Sequence, residues 1–307
     1  MKRMNQVLAA FFTLTSPLFA GSPDCATPDK VTLQLKWVAQ AQFAGYYAAK
    51  ELGHYKDECL EVTIRPGGLH IEPEEVVGKG EAQFGIAWQP GMLAARERGL
   101  PLKAIAQVFQ YSGMRLLSWK ESGLRSASDL KGKKVAVWFA GNELELLATL
   151  AKHGLDPKRD VTLVPESMDM DLLLQHKVDA AAAMTYNELA QVLETVNPAT
   201  GKLYEPSALN LIDFNQEETA MLEDRIIVTE DWIKTPRNQD VAVRFLRASI
   251  KGWIYCRDHP DEALEIVLKN APTLGKSLHK SAIGKIRWLC DPEQFPGGWR
   301  GIAKQTV

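Results

Sequence analysis

The hydrophobic positions of the chain repeat one pattern twice, in which three short apolar strands alternate with two helices. In the first copy, strands are predicted at 33–37, 62–65 and 84–88, and helices at 42–52 and 72–79. In the second copy, strands are predicted at 135–138, 161–164 and 180–186, and helices at 143–153 and 168–176. Strands and helices that alternate at this spacing indicate parallel sheets covered by helices, so the expected fold class is α/β.

Aromatic residues occupy the carboxyl ends of the first and third strands of each copy. They are Trp37, Trp88, Trp138 and Tyr186. Open parallel sheets bind ligands just beyond the carboxyl ends of their strands. We therefore expect a ligand site where these four aromatic residues meet.

Two copies of the pattern predict two lobes, each built on a mostly parallel sheet flanked by helices. We expect residues 21–113 and 227–307 to form the first lobe and residues 114–226 to form the second. The chain then crosses between the lobes near 112–120 and 212–230, as a hinge of two extended strands. Helices predicted near 238–257, 259–270 and 276–289 are expected to pack back onto the first lobe. Lobes joined by such a hinge can close over a ligand held between them.

The first twenty residues have the features of a secretory signal peptide. Two basic residues, at positions 2 and 3, precede an interrupted apolar run from Val7 to Ala20. The run is too short to span a membrane, and cleavage is predicted after Ala20. Residues 1–20 therefore predict export of the rest of the chain.

The composition of the remaining 287 residues is that of a globular chain with a packed core. These residues contain 34 Lys and Arg against 38 Asp and Glu, which gives a net charge of −4. A mildly acidic balance argues against nucleic acid and against an anionic membrane surface as partners. The length suits two domains of ordinary size.

Four cysteines in an exported chain predict two disulfides, for which three connectivities are possible. We favour the pairing of neighbours in the sequence, Cys25 with Cys59 and Cys256 with Cys290. The alternative is that some of these cysteines are buried thiols, which pack as small apolar residues. A metal site is not predicted, because the sequence has no Cys-x-x-Cys or His-x-x-x-His spacing.

Polar residues near the strand ends extend the candidate site. In the first lobe they include Gln42, with Tyr46 on the helix that follows Trp37; this tyrosine fits either the core or a ligand contact. Gly67 lies in a Pro-Gly-Gly turn, which either lets the backbone approach a ligand or is a plain turn. In the second lobe, Asn142 and Glu145 form a capping-box pattern at the start of the helix after Trp138.

Carboxylates and amides gather at the strand ends of the second lobe. The candidate ligand contacts there are Asn142, Glu143, Asn187, Glu188 and, from the second crossing, Glu217. Beside aromatic faces, these groups suit a flat heterocycle that carries amines. A sulfonate or phosphate would instead call for Arg, Lys or bare backbone N–H groups.

Sequence motifs for catalysis are absent from the chain. None of its six histidines lies in a metal or nucleophile motif, and no dinucleotide, P-loop or Gly-x-Ser-x-Gly pattern occurs. We therefore predict no catalytic residue, no metal and no cofactor.

Several longer motifs resemble the alkanesulfonate/thiamine-pyrimidine family of periplasmic solute-binding proteins. They are Leu35-Lys36-Trp37, Gln42-Phe43-Ala44-Gly45-Tyr46-Tyr47, Gly53-x-Tyr55, Gly80-x-Ala82-x-Phe84-Gly85 and Leu130-Lys131-Gly132-Lys133-Lys134. The resemblance implies a type II, Venus-flytrap binding protein in the periplasm. It further implies that the protein is a monomer that delivers a thiamine-related aminopyrimidine to the permease and ATPase of an ABC importer.

The same family contains an enzyme, the thiamine pyrimidine synthase, which uses pyridoxal phosphate and histidine with iron. Carried onto this chain, its lysine position is Ala87 and its histidine position is Gly91, and its cysteine cluster has no counterpart around 210–230. A synthase therefore stays the alternative to the importer protein. A sensory module that signals to a membrane partner is a third hypothesis.

Overall fold

The computed structural model describes residues 25–271 of the 307-residue chain. The predicted signal peptide, Cys290 and the helix predicted near 276–289 lie outside the described residues. The strands are β1 Asp29–Gln34, β2 Leu60–Arg65, β3 Phe84–Ala87, β4 Leu102–Gln107, β5 Met114–Trp119, β6 Lys134–Val137, β7 Thr162–Pro165, β8 Ala180–Met184, β9 Leu209–Asp213 and β10 Arg225–Thr229.

Helices follow most of the strands. They are α1 Ala44–Glu51, α2 His54–Asp57, α3 Pro73–Gly78, α4 Gln89–Glu97, α5 Glu143–Lys152, α6 Asp171–Leu174, α7 Glu188–Leu193, α8 Pro236–Asp258 and α9 Pro260–Asn270. Short 3-10 turns lie at Ala41–Phe43, Lys120–Ser122, Ala127–Leu130, Pro206–Ala208 and Trp232–Lys234.

The strands form two five-stranded sheets, one in each lobe. The first lobe contains the sheet β2-β1-β3-β10-β4, and the second lobe contains the sheet β7-β6-β8-β5-β9. In each sheet the three strands of the repeated pattern are parallel, with the first of them in the middle. The antiparallel strand of each sheet, β10 or β5, adjoins a crossing between the lobes. The predicted two-lobed α/β fold is confirmed, with mixed sheets that each contain two parallel and two antiparallel strand pairings.

The central strands are apolar on both faces because helices cover both sides of each sheet. All residues of β3 and β8 are buried, the latter with the sequence Ala-Ala-Ala-Ala-Met. Such strands appear in the sequence as continuous apolar runs without alternation, which is why the repeat is visible. The first strand begins earlier than predicted, at Asp29, and ends at Gln34, so Trp37 lies three residues past its end.

The chain crosses between the lobes twice, in the irregular segments 108–113 and 214–224. The strands on either side of these crossings belong to the two sheets. Two buried phenylalanines, Phe109 and Phe214, occupy the crossings. The Phe109 ring centroid lies 6.2 Å from that of Trp253 in the first lobe and 6.0 Å from that of Tyr186 in the second. One apolar core therefore continues through the hinge.

The C-terminal helices α8 and α9 pack on the first lobe, as predicted. The ring of Phe245 in α8 stacks on Phe84 of β3, with centroids 3.9 Å apart. Helix α8 also crosses α1 at very short range, because a Cβ atom on Gly252 would lie 2.1 Å from the carbonyl oxygen of Gly45. Glycine at this crossing is therefore a packing requirement.

The predicted disulfide between Cys25 and Cys59 is present, with Cα atoms 5.5 Å apart. It joins the segment before β1 to the residue before β2, and the Asp29 backbone N–H donates to the Cys59 carbonyl at 3.0 Å. Cys256 is buried in α8, and its predicted partner Cys290 lies outside the described residues.

Two kinds of feature are missing from the part of the chain between Cys25 and Ala271. No helix there is both long enough and apolar enough to cross a membrane. In the same residues, no three His, Cys, Asp or Glu side chains are placed to hold a metal ion.

Reducing the Cys25–Cys59 disulfide should destabilise the protein. For a sequence separation of 34 residues, the loop-entropy cost corresponds to about 3–4 kcal/mol. We expect the midpoint of guanidinium unfolding to fall when dithiothreitol is added. The variant Cys25→Ser/Cys59→Ser should start at the lower midpoint, and any response of that variant to dithiothreitol would report on the other two cysteines. An unchanged midpoint in the reduced wild-type protein would contradict the prediction.

Candidate functional site

A cleft between the lobes contains an inner chamber, with about 320 Å³ of space when the part open to solvent is included. Its first-lobe wall consists of Lys36, Trp37, Gln40, Gln42 and Trp88. Its second-lobe wall consists of Trp138, Asn142, Met184, Tyr186 and Glu188.

The inner chamber lies at the carboxyl ends of two pairs of parallel strands, one pair in each sheet. Residues after β1 and β3 form one wall, and residues after β6 and β8 form the other, as expected for ligand sites in such sheets. The structure therefore brings together seven of the residues that the sequence singled out. They are Trp37, Gln42, Trp88, Trp138, Asn142, Tyr186 and Glu188.

Tryptophans from the two lobes touch across this chamber. The rings of Trp37 and Trp138 meet edge to face, with centroids 6.3 Å apart. The indole N–H of Trp138 donates to the Ser167 carbonyl at 2.7 Å, and that of Trp88 donates to Asp224 Oδ1 at 3.1 Å. Because both N–H groups are used within the protein, these residues offer a ligand their ring faces and edges.

Asp224, in the second crossing, holds the first-lobe wall in place. Its two carboxyl oxygens accept from Gln42 Nε2 at 2.9 and 3.0 Å, and one of them also accepts from Trp88. The Gln42 side-chain oxygen in turn accepts from Gln40 Nε2 at 2.8 Å. Three side chains of the chamber wall are thus linked to one residue of the hinge.

Glu223, the preceding residue, holds the second-lobe wall. It accepts from the Tyr186 hydroxyl at 2.7 Å. It also accepts from the Ser112 hydroxyl at 3.1 Å and from the Gly113 backbone N–H, both in the first crossing. We call Glu223 and Asp224 the hinge pair, because the two neighbouring residues connect both walls of the chamber to both crossings.

Carboxyl groups are concentrated at the hinge. Burial raises the pKa of Asp224 well above its ordinary value, and the nearby charge of Glu223 raises it further, while hydrogen bonds from the first lobe and the Lys36 ammonium oppose the shift. Burial also raises the pKa of Glu223. In α5, burial and the charge of Glu223 raise the pKa of Glu145 to about 8. The folded protein therefore favours the protonated forms of this carboxyl cluster.

The predicted capping box at the start of α5 is wrong. Asn142 has helical backbone angles, φ −73° and ψ −32°, and its side chain makes no cap hydrogen bond. Glu145 instead accepts from the Met221 backbone N–H at 3.1 Å, because it is buried against the second crossing. The side-chain oxygen of Asn142 has no hydrogen-bond partner in the described part of the protein, although the residue is 92% buried.

Two candidates in the first lobe do not reach the chamber. Tyr46 is fully buried, and its ring packs edge to face against Trp253 of α8, with centroids 5.3 Å apart. Gly67 donates its N–H to the Trp37 carbonyl at 2.8 Å, and a Cβ there would lie 2.3 Å from the Leu35 carbonyl. The close approach at Gly67 is therefore to the protein backbone, not to a ligand.

Three candidates in the second lobe and its crossing stabilise turns instead of lining the chamber. Glu143 accepts from the Gly141 backbone N–H at 2.9 Å. Asn187 donates to Glu188 Oε1. Glu217 accepts from His153 Nε2 at 2.6 Å, just past the C-terminal end of α5 and a helix length away from the chamber.

Glu188 has both carboxyl oxygens engaged within its own loop. Oε2 accepts from the Met184 backbone N–H at 3.0 Å, and Oε1 accepts from Asn187. These bonds fix the carboxyl group in the chamber wall.

The chamber also involves residues that were not predicted from the sequence: Lys36, Gln40 and Met184 in its walls and the hinge pair behind them. Lys36 is part of the Leu-Lys-Trp motif, but nothing in the neighbouring sequence indicates that its charge is buried. In the structure the residue is 92% buried. The Ala87 side chain, by contrast, packs with Val77 and Ile227 in the core of the first lobe. A lysine side chain at position 87 would therefore enter that core and not the cleft. The lysine in the wall of the inner chamber is Lys36.

Glycines from the two lobes meet beside the chamber. Gly141, in the turn after Trp138, has φ +104°, and a Cβ there would lie 2.7 Å from the Cα of Gly91 in α4. Only glycine combines this backbone angle with this distance. In this arrangement of the lobes, the backbones of the two glycines are therefore in direct contact.

Comparison with known proteins places these features in a family. The profile of the family described as NMT1/THI5 like matches residues 40–263. The chain is 23% identical over 270 residues to the formylaminopyrimidine-binding protein of Halalkalibacterium halodurans, covering 88% of this chain and 78% of that protein. It is 25% identical to the 4-amino-5-hydroxymethyl-2-methylpyrimidine phosphate synthase of Legionella pneumophila, covering 82% of this chain and 77% of that one.

A solved structure supports the fold assignment. The periplasmic aliphatic sulphonate binding protein SsuA from Escherichia coli superimposes with a TM-score of 0.63 at 16% identity, over 84% of this chain and 79% of that one. At this identity the likeness concerns the fold alone.

The carboxyl cluster at the hinge should make stability depend on pH. The pKa of Glu145 is about 8 in the folded protein against an ordinary value of 4.5. The folded state therefore holds more protons between these values, and the free energy of unfolding falls as pH rises from 5 to 8, by about 1.4 kcal/mol per pH unit at most. Glu145→Gln should flatten this slope in urea unfolding. Glu61→Gln, at an exposed ion pair, should keep it; equal slopes in both variants would contradict the prediction.

Gly141→Ala should hold the lobes apart. The added methyl group would collide with the backbone of Gly91, so we expect a larger radius of gyration in X-ray scattering. Gly132→Ala is the matched control, because Gly132 also has a positive φ, +75°, but a Cβ there meets nothing within 4 Å. Both variants should lose about 1 kcal/mol of stability from backbone strain. If their scattering profiles are the same, the glycine contact does not set lobe spacing.

Proposed function

Because the chain belongs to the NMT1/THI5-like family, we propose that it is the solute-binding protein of an ABC importer for a thiamine-related aminopyrimidine. The observation that carries this proposal is the inner chamber, in which aromatic rings from both lobes surround a space edged by carboxyl and amide groups. Aromatic faces suit a flat ring, and the acceptor groups suit its amino substituents. The relative named for formylaminopyrimidine binding supports the same ligand class.

In the proposed complex the ring lies between Trp37 or Trp88 of the first lobe and Trp138 or Tyr186 of the second. Glu188 accepts from the amino group or a protonated ring nitrogen of the ligand. A ligand that touches both walls makes more contacts when the lobes are together. This difference in contacts is what shifts the equilibrium toward the closed arrangement.

The hinge pair connects ligand binding to lobe movement. Trp88 and Tyr186 contact the ligand in this proposal, and their hydrogen bonds end on Asp224 and Glu223 in the second crossing. A ligand that orders these two rings therefore also orders the hinge.

The cellular setting completes the proposal. Residues 1–20 act as the signal peptide, and the protein works in the periplasm as a monomer. Residues 25–107 and 225–271 form one lobe and residues 114–213 the other, with the two crossings between them. The closed protein delivers its ligand to a membrane permease and its ATPase.

A ligand panel tests the proposal by thermal unfolding. The ligands are 4-amino-5-hydroxymethyl-2-methylpyrimidine, thiamine, riboflavin, pyridoxal phosphate and an alkanesulfonate. A ligand at about 100 times its Kd adds about 2.7 kcal/mol of stability, which is an easily measured shift. We expect the aminopyrimidine to stabilise the protein. Stabilisation by the sulfonate alone would contradict the ligand class that we propose.

Trp138→Ala should weaken binding of the stabilising aminopyrimidine by about 2 kcal/mol or more, roughly 30-fold in Kd. The physical reason is the loss of one aromatic wall of the chamber. Trp232→Ala is the control, because Trp232 packs on Phe84 in the first lobe, away from the chamber. Isothermal titration calorimetry measures the Kd of the aminopyrimidine for both variants. Unchanged affinity in Trp138→Ala would remove this ring from the site.

One observation favours the synthase as a second candidate function. Lys36 places a primary amine in the cleft, and the Legionella relative carries the name of such an enzyme. If the protein is such a synthase, adding pyridoxal phosphate should change the absorbance spectrum. This change should be lost in Lys36→Ala. Absence of any such change would remove the synthase as a candidate.

A further inference from the structure

A larger outer chamber of about 750 Å³ of empty space adjoins the inner one. In the first lobe it is lined by the segment 68–72, which follows β2. In the second lobe it is lined by Pro165 and Glu166, at the end of β7. The inner chamber thus lies over the central strands of the two sheets, and the outer chamber lies over the neighbouring edge strands.

The two chambers share part of their walls. Lys36, Trp37, Trp138 and Asn142 line both. A ring bound in the inner chamber can therefore extend a substituent past the two tryptophans into the outer chamber. The arrangement follows from the strand order. In the first lobe, β1 lies between β2, which ends at the outer chamber, and β3, which ends at the inner one. In the second lobe, β6 lies between β7 and β8 in the same way.

Two buried acceptor atoms in the shared and outer walls have no hydrogen-bond partner among the described residues. They are Asn142 Oδ1 and Glu166 Oε2. Asn142 is 8% exposed and Glu166 is 5% exposed. The other carboxyl oxygen of Glu166 accepts from the Ser167 backbone N–H at 3.1 Å, so the group is held in one orientation. Buried acceptors without donors are costly, and a ligand N–H or O–H would remove that cost.

The surroundings of Glu166 favour a donor that carries positive charge. The pKa of Glu166 is raised to about 8, mainly by burial, with smaller contributions from the charges of Glu188 and Asp169 in the same lobe. Across the chamber, Lys36, His70 and Glu72 of the first lobe also line the cavity. A ligand amine beside Glu166 would stabilise the carboxylate and bring this pKa down.

Apolar side chains at the mouth of the outer chamber come from both lobes. Leu69 and Ile71 in the first lobe are 43% and 38% exposed, and Phe139 in the second lobe is 45% exposed. All three line the chamber. A bound substituent would cover part of this apolar surface, which is favourable.

We infer that the outer chamber is a second ligand subsite, which receives an N–H- or O–H-donating substituent carried by the ring in the inner chamber. This inference rests on the proposed function, because it requires a ring in the inner chamber. Asn142 and Glu166 accept from the substituent, and the apolar mouth encloses it. The subsite therefore selects ligands by the polar group attached to the ring.

Three probes that differ in one substituent test the subsite by isothermal titration calorimetry. They are 4-amino-2,5-dimethylpyrimidine, 4-amino-5-hydroxymethyl-2-methylpyrimidine and 4-amino-5-aminomethyl-2-methylpyrimidine. We expect at least one of the two donor-bearing probes to bind about tenfold more tightly than the dimethyl probe. The hydroxymethyl and aminomethyl probes distinguish an alcohol from an amine as the preferred donor.

Glu166→Ala should abolish this gain and leave the affinity for the dimethyl probe within about twofold. Glu72→Ala is the matched control, because Glu72 lines the same chamber but pairs with Arg98 at its exposed edge. Glu72→Ala should keep the preference for the donor-bearing probes. Circular dichroism and thermal unfolding check that both variants are folded.

The outcomes separate the subsite from the proposed function. Equal affinity of the wild-type protein for all three probes would overturn the subsite and leave the aminopyrimidine site intact. Equal weakening of all three probes in Glu166→Ala would also overturn it, because Glu166 would then act only on the fold. If no probe binds the wild-type protein, the proposed function fails and the subsite fails with it.

Discussion

The burial of two adjacent carboxyl groups in the second crossing is the constraint on which the site depends. Glu223 and Asp224 are almost entirely removed from solvent, and a buried carboxyl group is tolerated only when hydrogen bonds satisfy it. The donors come from both lobes and from the first crossing: Gln42 and Trp88 bond to one residue, and Tyr186 bonds to the other. The demand for donors at the hinge therefore orients one aromatic ring in each wall of the chamber, Trp88 in the first lobe and Tyr186 in the second.

This arrangement means that the chamber walls and the hinge cannot move independently. If Trp88 or Tyr186 changes orientation, a buried carboxyl group loses a donor, which carries a free-energy cost of about 1–3 kcal/mol. The apolar core through Phe109 adds a second constraint, because the same phenylalanine contacts rings in both lobes, tilted against Tyr186 and edge to face with Trp253. The orientation of these rings and the lobe spacing are thus linked by a short physical route, from ring to hinge pair to crossing.

The sequence predicted the architecture because the central strands are short runs of buried apolar residues, which are local signals. It predicted the position of the chamber because strand ends in parallel sheets bind ligands. It failed where the partner of a side chain lies far along the chain. Tyr46 is turned into the core by Trp253, and the Glu145 carboxyl is drawn to the Met221 backbone. The hinge pair resembles two solvated acids in sequence, since its burial arises only when both lobes and both crossings assemble around it.

The strand order also explains why the cleft has two parts with different constraints. The inner chamber lies over β1, β3, β6 and β8, whose residues form the packed centres of the two sheets, so a change there disturbs the core. The outer chamber lies over the edge strands β2 and β7, and the segments that follow them can change with little effect on the sheets. The inner chamber is therefore fixed by the fold, whereas the segments that line the outer chamber can vary.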